Sequence, residues 1–187
     1  GFFANGGMKL TSANTIKGDA RFYSGENFQI NGNLSSPNDP IILAGGDVSL
    51  ADYTGASLHI LAGGSVTLGD VEINAADSRE NSINPNNTAL FNGSDSFASL
   101  SEVTLSDGRV VNIDGSSKPT LDVRAGIDWN SFPGGLPSNF NPGNVNVNSI
   151  GNTATSADIT VGNIKIADGG DGGQLLLTNQ YRNNGNL

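Results

Sequence analysis

Short apolar runs alternate with glycine, asparagine, aspartate and serine along the chain. Ile41 to Leu50 reads IILAGGDVSL, and His59 to Leu68 reads HILAGGSVTL. The two align without gaps at a spacing of 18 residues. A third, more divergent copy runs from Leu121 to Trp129 as LDVRAGIDW. Shorter alternating runs lie between and around them: Asn27–Ile30, Val71–Ile73, Val103–Leu105, Val110–Ile113, Ile159–Val161 and Ile164–Ile166, with Leu175–Leu177 as a last apolar run. Period two puts one face of a strand inward and the other outward. Each run is bounded by residues that turn a chain at little cost.

Strands this short bury little alone. A repeat of about 20 residues carrying two or three of them fits a solenoid, whose stacked coils share one core. The pattern predicts an all-β chain, a parallel β-helix of roughly six or seven coils. Ala44, Gly45, Ala62 and Gly63 are expected at corners, where coils pack closely. Asn74 to Ser99 is polar and Asn-rich; Asn130 to Ser156 carries Pro133, Pro137 and Pro142. Both are expected to be long loops leaving the coil, the second pinned by Trp129, Phe132 and Phe140. No linker divides the chain, so residues 1–187 read as one domain.

Composition narrows the function classes. The 187 residues include 26 Gly and 25 Asn, both poor helix formers. Net charge is −9, which disfavours nucleic acid and anionic membrane surfaces as partners. No apolar run is long enough for a membrane-spanning helix. The absence of cysteine removes disulfides, thiol nucleophiles and Cys-ligated zinc. Gly1 to Asn5 is not a signal peptide, and the chain reads as a piece of a longer one.

Several segments, taken in order, carry a resemblance. They are Ser36–Ile42, Gly46–Leu50, Tyr53–Val66, Val103–Gly108, Lys118–Gly126 and Leu176–Tyr181. From about Asn27 to Tyr181 the chain resembles the filamentous-haemagglutinin-like exoproteins of cyanobacteria. The resemblance implies a right-handed parallel β-helix, exported by two-partner secretion and placed on or outside the cell surface. It implies a segment downstream of the secretion domain and brings no catalytic motif.

Candidate chemistry is sparse. His59 is the single histidine. It lies between Leu58 and Ile60, so alternation predicts that it faces water. Asp122 and Arg124 share a strand face and are expected to form a surface ion pair, near Asp128. Asp47 and Ser65 occupy equivalent positions, which breaks a ladder of carboxylates of the kind a β-helical lyase needs. Asp168 and Asp171 sit in DGGDGGQL, a single calcium-nonapeptide-like copy with Gln174 at the key aspartate position. They are the candidate metal residues; a Gly-rich turn is the simpler reading, and no cofactor is expected. Asn112, Asn163 and Asn179 are candidates for ladders between coils. Asn144, Asn146 and Asn148 alternate with valines, as in one more strand. Asn86 and Asn92 open matches to the glycosylation pattern.

The expected function is a non-enzymatic structural or adhesive module, a rigid stalk or a fibre subunit that stacks end to end. Its expected partners are copies of itself or neighbouring β-helical segments, with surface glycans or other cells as further candidates. The alternative is a carbohydrate-binding or carbohydrate-cleaving β-helix, marked by a groove with aromatic platforms or clustered acids.

Overall fold

The computed structural model describes residues 2–18, 21–38, 40–76, 102–105, 109–113, 115, 117–127, 157–168, 170 and 172–179. Among them there is no helix, and the chain visits three sheets in turn. The first level is β1 (Phe2–Ala4), β2 (Met8–Thr11) and β3 (Ile16–Lys17). The second is β4 (Arg21–Ser24), β5 (Phe28–Asn31) and β6 (Leu34–Ser36), and the third β7 (Ile41–Ala44), β8 (Val48–Leu50) and β9 (Tyr53–Ala56). The fourth is β10 (Leu58–Ala62), β11 (Val66–Leu68) and β12 (Val71–Ala75). A hairpin, β13 (Glu102–Thr104) and β14 (Val110–Asn112), comes next. The fifth level is β15 (Thr120–Ala125), β16 (Ile159–Val161) and β17 (Ile164–Ile166), and β18 (Gln174–Asn179) opens a sixth.

Sheet A stacks β1-β4-β7-β10-β15-β18, sheet B stacks β2-β5-β8-β11-β16, and sheet C stacks β3-β6-β9-β12-β17. Every pairing in these sheets is parallel. The result is an all-β chain of stacked parallel sheets, compatible with the expected solenoid. The 18-residue offset is the stacking register itself: Ile41 pairs with His59 and Val48 with Val66. The third copy continues the column through Val123 on Ile60, but β16 begins only at Ile159.

The core is built of columns. Phe22, Ile42, Ile60 and Val123 stack from sheet A. Phe28, Val48 and Val66 stack from sheet B, and Leu34, Tyr53 and Val71 from sheet C. All are buried in one cluster. Each such side chain gains about 1.5–3 kcal/mol on burial, which a single level of short strands could not collect alone.

From the second level upward the corners before sheet C follow a local code of a small residue, then Asp or Asn, then an apolar residue. It reads Gly32-Asn33-Leu34, Ala51-Asp52-Tyr53, Gly69-Asp70-Val71 and Gly162-Asn163-Ile164. A Cβ at Gly162 would run into the Asp70 carboxylate and the Gly69 carbonyl. Glycine leaves room for the side chain of the level below. Asp70 Oδ1 then accepts the Asn163 N–H at 2.8 Å, and Asp52 Oδ1 accepts the Asp70 N–H at 2.9 Å. Before sheet B the Asn27, Asp47 and Ser65 side chains accept the N–H of Asp47, Ser65 and Asp158 in turn. The inter-coil ladder is therefore mixed. Asp47 and Ser65 occupy equivalent positions, so no run of carboxylates forms there, yet both carry the same hydrogen bond to the next level. Of the expected asparagines, Asn163 joins the ladder, Asn179 donates to the Ala157 carbonyl, and Asn112 sits in the hairpin.

Val103–Leu105 and Val110–Ile113 do not supply strands of the stacked sheets. They lie in an antiparallel pair, with Val103 opposite Val111. The Leu105 N–H reaches the Arg109 carbonyl at 2.8 Å. The intervening Asp107-Gly108 is a hairpin signal that outweighs their strand alternation.

Between levels four and five the chain runs from Ala75 to Thr120, and within level five from Ala125 to Ile159. The segments expected to be loops, Asn74 to Ser99 and Asn130 to Ser156, are positions of these stretches of sequence apart from the first two. Asn74 and Ala75 belong to β12. Residues 77–99 and 130–156, with Asn86, Asn92, Trp129, Phe132, Phe140 and the Asn144–Asn148 alternation, lie outside the described residues, as does Asp128.

Candidate functional site

Two outer faces carry the polar chemistry. Across β7, β10 and β15 the outer face of sheet A is itself buried, unlike those of B and C. All four residues of β7, all five of β10 and all six of β15 are withdrawn from solvent. His59 is 2% exposed and therefore does not face water as alternation predicts. Asp122 and Arg124 are both 0% exposed, so their pair is not a surface pair.

Parallel pairing of β10 and β15 sets His59 beside Asp122 and Leu61 beside Arg124. The His59 Nδ1–H donates to Asp122 Oδ2 at 2.9 Å. Arg124 sits two residues on from Asp122, on the same strand face. Its Nε donates to Oδ1 at 2.9 Å and to Oδ2 at 3.1 Å, and its Nη2 donates to Oδ2 at 2.7 Å. Burial pushes the Asp122 carboxyl upward. The Arg124 charge, with the hydrogen bond and charge of His59, outweighs it and holds the group below the ordinary aspartate value of 3.8. The cluster is a desolvated ion pair braced by an imidazole.

Ser57 is buried beside it. Its hydroxyl donates to the Gly115 carbonyl at 2.7 Å and accepts the Thr120 N–H at 3.1 Å. A Cβ on Gly115 would meet both His59 Nε2 and the Ser57 side chain, so this glycine lies directly over them. Serine, histidine and aspartate stand together here, but all three are 2% exposed or less, and the Ser57 hydroxyl is turned to the Gly115 carbonyl. The serine hydroxyl holds the chain where it re-enters the stack. What the arrangement does chemically is clamp: Ser57 fixes Gly115 and Thr120, and Asp122 ties β15 to β10. The signal in the sequence was the unbroken apolar run around His59, which marks strands buried on both faces.

The second face is a groove of about 360 Å³ along sheet C. Two polar columns line it. One is the corner series Thr15, Asn33, Asp52, Asp70 and Asn163; the other is the outward series Ser35, Thr54, Glu72 and Lys165. Lys165 Nζ lies 2.5 Å from Glu72 Oε1, with side-chain exposures of 78% and 39%. The Asn163 backbone N–H, followed by its side-chain amide, holds the Asp70 carboxyl below its ordinary value. Asp52 and Asp70 were not among the expected site residues. Their signal is the repeated corner code, visible only once the strands are in register.

Asp168 Oδ1 accepts the Gly170 N–H at 3.1 Å in a local turn, and Gly170 and Gly172 have positive φ of 92° and 79°. Asp171 lies outside the described residues. Among the described residues no three His, Asp or Glu side chains gather as a metal site, and no helix is long and apolar enough to cross a membrane. No protein-family model, curated protein or solved structure matches the chain.

Proposed function

We propose that this chain is a non-enzymatic structural module of a secreted, surface-displayed exoprotein of the filamentous-haemagglutinin-like type. In this reading it is a right-handed coil with two extruded loops, acting as a stalk segment or fibre subunit by end-to-end stacking. Right-handed winding is the rule for parallel crossovers. The carrying observation is the state of the two terminal strands of sheet A. At one end Phe2 and Phe3 of β1 are 51% and 56% exposed; at the other, Leu175 and Leu177 of β18 are 51% and 38% exposed. Leu175 and Leu177 continue the columns of Leu121 and Val123, which are wholly buried one level below. They are core residues by position and surface residues by exposure. Open strand edges pair with further strands, and head-to-tail contacts that do not close generate filaments. The partners are further copies or neighbouring coils of one polypeptide.

Electron microscopy of the purified chain over a concentration series tests this. Filaments whose width matches one coil are expected, with Leu177→Lys dispersing them. Monomers at every concentration would overturn self-stacking.

A further inference from the structure

The groove on sheet C has the properties of a binding site for an extended polymer. Its two columns rise with the stack, one level about every 4.8 Å. A chain lying along the axis therefore meets polar groups at each step, from a corner column of five levels, Thr15 to Asn163, and an outward column of four, Ser35 to Lys165. A linear polysaccharide advances by a comparable distance per sugar ring and displays hydroxyls at every one. Thr15, Asn33, Ser35, Thr54 and Asn163 supply hydroxyl and amide partners for such a chain.

The lining also selects among glycans. Its one aromatic residue, Tyr53, is buried, with its hydroxyl donating to the Ala56 carbonyl at 2.8 Å. Tyr53 therefore offers no open ring for a sugar to stack on, and recognition falls to hydrogen bonds and charge. Within the lining, Asp52, Asp70 and Glu72 stand against one cation, Lys165, already engaged by Glu72, while Lys17 extends the outward column one level beyond Ser35. Asp52 and Asp70 are each held by a backbone N–H from the next level, which fixes them before any ligand arrives. The field is negative, and the whole chain carries −9. Uronate and sulfate chains are repelled, and protonated amines are drawn in.

We infer that the sheet C groove binds a linear polysaccharide bearing protonated amino groups along the stack axis. The site is on the side of the coil, so it operates in a monomer as well as in a stack and does not depend on end-to-end assembly.

Titration calorimetry of the full chain tests this with a fully deacetylated glucosamine hexamer, at a pH that keeps its amines charged. Binding that weakens with salt is expected. Asp52→Asn and Glu72→Gln should each weaken it by up to about fivefold, the worth of one exposed charge pair. Lys165→Met should tighten it, because Glu72 is released. That opposite sign separates a groove effect from a loss of folding, and each variant's melting temperature is read alongside. Stronger binding of oligogalacturonate would overturn the charge assignment. Equal binding of hexalysine would overturn the sugar assignment. No binding, or binding unchanged in all three variants, would overturn the site.

Discussion

Removing the Asp122 carboxylate is the sharpest test of the covered face of sheet A. In Asp122→Asn the Arg124 guanidinium stays 0% exposed but loses a carboxylate that receives its Nε and Nη2. Removing one partner of a buried ion pair costs about 3–5 kcal/mol. For a chain of this size about 2–4 °C is lost per kcal/mol, so the melting temperature should fall by about 6–20 °C. Replacing the pair with apolar residues, as in Asp122→Leu with Arg124→Met, should recover much of that loss, because neither charge is then desolvated. The wild type carries an acid signature of the same cluster. Asp122 titrates lower in the fold than in the unfolded chain. Its contribution is therefore full above pH 3.8, and it is lost as the pH falls through the lower folded value. Urea unfolding of the three proteins between pH 2 and pH 7 measures all of this. A loss below about 1 kcal/mol in Asp122→Asn, the range of a solvated pair, would refute burial of the cluster.

Three smaller perturbations follow from the packing. Ile60→Ala empties a wholly buried column position and should cost about 2–5 kcal/mol in the same unfolding assay. Gly64→Ala would drive a methyl into the Asp47 carboxylate that accepts the Ser65 N–H, and should cost about 1–3 kcal/mol, typical of overpacking. Glu72→Gln removes an exposed pair and should change stability by less than about 1 kcal/mol, with no difference left in 1 M salt.

Much of the stack was legible in the sequence because stacking copies sequence into space. The offset between IILAGGDVSL and HILAGGSVTL is the pairing register, and alternation placed Val66 and Leu68 inside with Thr67 outside. Alternation failed on sheet A, where the chain covers the outer face too and period two no longer separates core from water. His59, Asp122 and Arg124 were misplaced for that one reason. Ile41–Ala44, with no polar position, was the available sign. The early strands Met8–Thr11, Arg21–Ser24 and Leu34–Ser36 carry lysine, arginine and serines, which masked them; pairing with the next level defines them. The groove could not be read at all without register, because its columns join residues from five levels.

The fifth level, opened by β15, stands out by the sequence distances it bridges. Asp47 and Ser65, on adjacent lower levels, are 18 positions apart, whereas His59 and Asp122 are 63 apart, and Asp70 and Asn163 are 93 apart. Closing those longer spans costs about 1–1.5 kcal/mol more loop entropy than one ordinary turn of the stack. The first four levels can zip by local closure, but the fifth must find its place across a long tether. Folding should then be biphasic, with a fast phase from the lower levels and a slower one for docking of β15. The buried Asp122 cluster acquires a second meaning in that process. Arg124 travels with Asp122 on the same strand, but the carboxylate meets His59 only in the native pairing, so a slipped register buries the pair without its imidazole and the late strand is proofread as it lands.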